Sequence, residues 1–288
     1  MKNLRRLILI LVSISLCLLQ PSLLAQTKKE EKGKIKQVEG EVEKKKNDKD
    51  EDDDGDNNSE DVVTESWFNL IFNDVAWNFT FRLAWDMLVS FPGEDTLLYQ
   101  GDDGRSYYTD YPYATPTEGV FSDAPGKQFF INLSGHYFYD ESDLDGIGFR
   151  GRASPYPFVS AEVHFTELRE HLRSGGEDVL QLYSAFLNYN RVRLPRWSLW
   201  WGLGLKGMRG SIKHTGVAFN AGTEIFLARP LSLHFSYSGG FLNGRYVPEF
   251  FGTLSVHINR FALFGGYQSW RAGSATIDGI LSGMKIYF

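Results

Sequence analysis

The sequence predicts an all-β protein: a transmembrane, antiparallel up-and-down β-barrel of about ten strands, preceded by an amphipathic helix and a disordered leader. Three observations carry this. From Phe129 onward, large apolar residues alternate with polar ones in ten runs, the period of a strand with one dry and one wet face. The mean hydropathy of −0.28 is too low for a bundle of membrane helices. Barrel strands, in contrast, are half polar because one face lines a lumen. Finally, the chain closes on Gly279–Phe288, where Ile280, Met284, Ile286 and Phe288 share one face and Gly279, Gly283, Lys285 and Tyr287 the other.

Taken in order, residues 1–25 read as a signal peptide. Lys2, Arg5 and Arg6 precede the apolar run Leu7 to Leu19, Gln20-Pro21 breaks it, and Ala25 is the expected cleavage position. At 13 residues the run is short for a membrane helix of about 20. Cys17, the only cysteine, lies within it, so the processed chain has no disulfide or Cys-ligated metal. Residues 26–63 mix Lys and Glu, then turn acidic over Asp50–Asp56. With almost no large apolar residues, they are expected to form a disordered tether, either a solvated leader or a strap for a periplasmic partner. The net charge of −6 gives no case for nucleic acid.

Residues 64–91 hold no Gly or Pro before Pro92 and are rich in Trp and Phe. Val75 to Met87 alternates with period two, yet Asp74, Asn78, Arg82 and Asp86 form an i, i+4 row. The length of the run, too great for one strand, favours an amphipathic helix. Residues 92–128 read as a Tyr/Pro-rich loop.

The barrel is expected over 129–288. Its outward rows include Phe129, Ile131 and Leu133; Ile147 and Phe149; Val163 and Phe165; Leu203 and Leu205; Val217 and Phe219. Prolines Pro155, Pro157, Pro195 and Pro230 fall at turns, where a missing ladder donor costs little. Longer connections are expected at one end (Asp140–Asp145, Glu167–Asp178, Gly207–His214, Gly239–Glu249, Trp270–Asp278) and short turns at the other.

The opposite rows predict a polar lumen network of Arg150, Arg152, Glu162, His164, Lys206, Glu224, His234, His257 and Lys285. Hairpin counting about Ser154–Pro157 sets Arg150 opposite Glu162, and the same counting sets Glu224 beside His234. Ten strands enclose an interior that such side chains can largely fill. The expected function is therefore structural or interactive, with a plugged lumen. A narrow solute pore is the first alternative. A hydrolase is the second, on the weak acid–imidazole pair Glu162 and His164. Glu141, Asp143 and Asp145 resemble the start of a calcium loop, but Arg152 stands where the closing Glu belongs. No cofactor is expected. Arg191, Arg193, Arg196, Arg229 and Arg260 mark the short turns as a place for anionic head groups.

The closing strand resembles that of Gram-negative outer-membrane β-barrels, which commonly end in Phe. The resemblance implies a small barrel of the size of the outer-membrane proteases, located in the outer membrane. It also implies Phe288 as an assembly signal read by the barrel-assembly machinery, and membrane lipid and lipopolysaccharide as surroundings.

Overall fold

The computed structural model describes residues 33–47, 108–114, 119–122, 127, 129–172 and 175–288. These form one helix, α1 (Lys34–Asn47), and twelve strands: β1 (Tyr108–Thr109), β2 (Phe121–Ser122), β3 (Phe130–Asp140), β4 (Leu144–Tyr156), β5 (Val159–His171), β6 (Glu177–Leu194), β7 (Trp197–Arg209), β8 (Lys213–Ala228), β9 (Leu231–Leu242), β10 (Arg245–Ile258), β11 (Phe261–Ala272) and β12 (Ala275–Tyr287). Strands β3 to β12 each pair antiparallel with their sequence neighbours, and β12 pairs with β3, closing a ten-stranded barrel. The segments expected as signal peptide and as amphipathic helix at 64–91 lie outside the described residues.

The predicted facing holds along every strand. Ile147, Leu187, Leu203, Val217 and Met284 are all more than 60% exposed on the outside. Their neighbours Arg150, Glu162, Lys206, Glu224 and Lys285 are buried inside. Inward glycines make room for the larger inward groups. A Cβ on Gly222 would press into the Trp200 ring, and one on Gly148 into His136. Gly222→Ala is expected to cost about 1–3 kcal/mol through overpacking, measured as a lower urea midpoint of the folded barrel; an unchanged midpoint would mean that Trp200 has somewhere else to go.

Two expectations about connections are corrected. The loops predicted to be long are mostly strand: the turns at that end are 141–143, 172–176, 210–212, 243–244 and 273–274. The clearest case is Asn243-Gly244, both at positive φ (50° and 74°), the arrangement of a two-residue type I′ hairpin. The β4–β5 turn is 157–158, with a bulge between Ala153 and Tyr156. That shifts the register by two residues, so Arg152 faces Glu162 and Arg150 faces His164. The Glu224–His234 pairing stands as counted.

Both ends of the barrel are covered. At the five-turn end lies α1, within the stretch expected to be disordered, and this is a third correction. Ile35, Val38 and Val42 fall at i, i+3 and i+7, one narrow apolar face. They are at most 3% exposed among Phe138, Leu168, Leu180, Met208, Trp270 and Ile277 of the barrel interior. A 14-residue helix with this few apolar groups is marginal alone. The surface it covers stabilises it, and composition cannot show that. At the four-turn end the β1–β2 ribbon, inside the expected loop 92–128, brings Tyr113, Val120 and Phe121 against Phe130, Phe226 and Tyr287.

Candidate functional site

The enclosed polar interior is the candidate site. Period-two facing delivers its residues from all ten barrel strands, and closure brings together groups far apart in sequence. Glu249 of β10 is its hub. Its carboxylate accepts from Arg150 at 2.5 Å, Lys206 at 2.9 Å and Gln268 at 2.9 Å. Lys206 also donates to Ser238 at 3.1 Å, and the Arg150 guanidinium lies 3.7 Å over the Phe251 ring.

A second cluster forms around Glu162. Asn188 and Asn220 donate to its Oε2 at 2.8 and 3.0 Å. His164 Nε2 stands 3.0 Å from its Oε1, a close contact not aligned as a hydrogen bond. Arg152 makes no contact with Glu162 as close as these. It donates to Ser160 and Asn190 and stacks 3.8 Å over Trp200. Toward the four-turn end, Lys285 lies 3.5 Å from Glu224, and Tyr287 donates to the same oxygen at 3.4 Å. His257 shares a 2.7 Å hydrogen bond with Ser232. The space bordered by Arg150, Arg152, Glu162, Glu224, His234 and Lys285 has room for about one water molecule.

The interior thus contains every residue of the predicted network, in layers along the barrel axis. Sequence reasoning missed Glu249, which it placed in a loop, and Trp200, Asn190 and Phe251. Extending the alternation of β10 back from Thr253 through Phe251 to Glu249, as far as the Asn243-Gly244 turn, would have found the hub. The structure does bring Glu162 and His164 together, but both are under 10% exposed and the carboxylate is already engaged. Glu141 and Asp143 lie in an exposed three-residue turn, while Asp145 accepts from Tyr137 at 3.1 Å. Among the described residues no three His, Cys, Asp or Glu side chains converge as a metal site.

The two end covers are also chemically specific. Glu170 accepts the α1 backbone N–H groups of Lys34 and Ile35 at 2.7 and 2.9 Å, a carboxylate at the positive end of a helix. Lys34 Nζ meets Asp140 at 2.6 Å. Buried Glu39 accepts from the Ser211 amide and hydroxyl, and Asn243 caps the Val42 carbonyl at 3.0 Å. At the other end Tyr113 donates to the Leu231 carbonyl at 2.6 Å, and burial pushes its hydroxyl up to about 12.

Glu41 supplies a pH dependence. The hydrogen bond from Lys44, opposed by some desolvation and helped by the charges of Lys44 and Arg245, holds its carboxyl below the ordinary 4.5. A carboxylate lowered on folding stabilises above its unfolded value, and that stabilisation is lost as pH falls through the folded value. Amide protection of α1, corrected for intrinsic exchange, is therefore expected to decline between pH 6 and pH 3. Constant protection would remove Glu41 from the docking.

Comparison with known proteins finds no relative: no protein-family model matches the chain, and no curated protein matches it.

Proposed function

We propose that this chain is an outer-membrane β-barrel whose interior is closed, serving as a structural or interaction protein of the envelope. One observation carries the reading: the barrel is inverted relative to a water-soluble one. Leu203, Leu205, Val217, Ile147 and Phe261 stand more than half exposed outside, while charged groups occupy the middle of the interior. In water that exposed surface invites aggregation; in hydrocarbon it is the favourable surface, and closure leaves no strand edge unpaired. Thirteen-residue strands such as β5 and β7 fit the same setting. At about 3.3 Å per residue and 45° tilt they rise about 30 Å, the thickness of the hydrocarbon core.

Phe288 fits the role of assembly signal. Its backbone exchanges hydrogen bonds with Ile131, and the residue is 46% exposed at the seam where the barrel closes. The partners that follow are membrane lipid, lipopolysaccharide and the barrel-assembly machinery.

Two measurements test the reading. After expression in a Gram-negative host the chain should stay with the outer-membrane fraction through a urea wash, and recovery in the soluble fraction would overturn the location. Purified chain added to planar bilayers should give no single-channel steps. Stable steps would overturn the closed interior and favour the narrow pore.

A further inference from the structure

Between the apolar cluster under α1 and the Tyr113 cluster at the other end lies the small space bordered by Arg150, Arg152, Glu162, Glu224, His234 and Lys285. The charges around it do not balance. Among the described residues of this middle region, the cations Arg150, Arg152, Lys206 and Lys285 meet only the acids Glu162, Glu224 and Glu249. Glu249 is shared by Arg150 and Lys206, and Glu224 stands against Lys285. The hydrogen bonds of Arg152 go to neutral Ser160 and Asn190. One positive charge is in excess, before any histidine is counted. A buried charge without a counter-charge is strongly destabilising.

Unpartnered donors border the same space. His234 is 9% exposed, and its ring is held by Trp200 and Phe251 at centroid distances of 5.4 and 5.7 Å. Neither of its ring nitrogens has a hydrogen-bond partner, and neither does Nε of buried Arg150. An imidazole carries at least one N–H, and a buried donor left unpaired is costly. The two bordering acids are already engaged, Glu162 by Asn188 and Asn220, Glu224 by Lys285 and Tyr287. The opening therefore presents donors to whatever enters it. Room for about one water molecule excludes carboxylate, sulfate and phosphate, but a monatomic anion is close to that size.

We infer that this space is a halide site. A single chloride accepts hydrogen bonds from His234 and Arg150 and supplies the missing negative charge. A water molecule could satisfy the donors but would leave the excess charge in place. The inference rests on the closed interior proposed above and adds to it a ligand and the groups that hold it.

The test uses crystals of the full chain refolded and grown in sodium bromide, with sodium gluconate, too large for the space, as the control salt. Bromide should give one anomalous-scattering peak within hydrogen-bond reach of His234 and Arg150. In solution, about 300 mM bromide in place of gluconate should lower the unfolding constant of the folded barrel about tenfold, as a ligand bound only by the folded chain does. Arg152→Gln removes the excess charge and should abolish both the peak and the bromide dependence. Glu224→Gln enlarges the excess and should lower the bromide concentration required about fivefold. A merely structural role for these side chains would not give opposite signs. Water alone at the site, bromide confined to the outer surface, or a stability indifferent to bromide would overturn the proposal. Bromide peaks strung along the barrel axis would overturn the closed interior itself.

Discussion

Glu249→Gln is expected to be among the most damaging single substitutions in the barrel, lowering its unfolding free energy by about 3–5 kcal/mol. The carboxylate is 6% exposed and is the only acid within ion-pair distance of both Arg150 and Lys206 among the described residues. Glutamine keeps the shape and one acceptor oxygen but leaves two buried cations without a counter-charge. Removing one partner of a buried pair costs far more than replacing the whole group with apolar side chains. Adding Arg150→Met and Lys206→Met to Glu249→Gln should therefore recover much of the loss. Urea unfolding of the folded barrel in lipid, read from the heat-modifiable gel species, measures both. A loss below about 1 kcal/mol would mean that bulk water reaches Glu249, and the interior would then be a wet channel.

Val38→Asp should release α1 while leaving the barrel folded. Val38 is 3% exposed in the apolar cluster at the five-turn end. Burial of a valine contributes about 1.5–3 kcal/mol, and an unpaired carboxylate there adds a desolvation cost. Without that face, α1 keeps Ile35 and Val42 but has Gly40 at its centre and too little length to stay helical alone. Trypsin should then cut at Lys36 and Lys44 at least tenfold faster, with the urea midpoint of the barrel shifted much less. If Lys36 stays protected, α1 is held instead by its polar contacts, Lys34 with Asp140, Lys36 with Asp178 at 3.1 Å, its first amides with Glu170 and Glu39 with Ser211, and the apolar face is incidental.

These two sites differ in how far the sequence exposes them. The interior residues were legible wherever alternation ran unbroken: Arg150, Glu162, Lys206 and Lys285 all fall on the expected face. Their partners were not. Counting about Ser154–Pro157 put Arg150 against Glu162, but a two-residue turn and a bulge move it opposite His164. Its actual acid, Glu249, arrives from across the lumen, 99 residues away. The Asn243-Gly244 hairpin was the available clue to that strand. For α1 the clue was weaker, three aliphatic residues in a charged stretch. Their helical spacing matters only because an apolar mouth exists to receive them.

By itself the sequence determined the number of barrel strands, their order and, within the runs of unbroken alternation, which side chains face in or out. Alternation is a local property, set by the two-residue repeat of the extended chain. Only the tertiary structure decided which charges meet, how the interior fills and what covers each end. Those depend on register, bulges and closure, which act between residues on different strands and leave no periodic trace in any one of them.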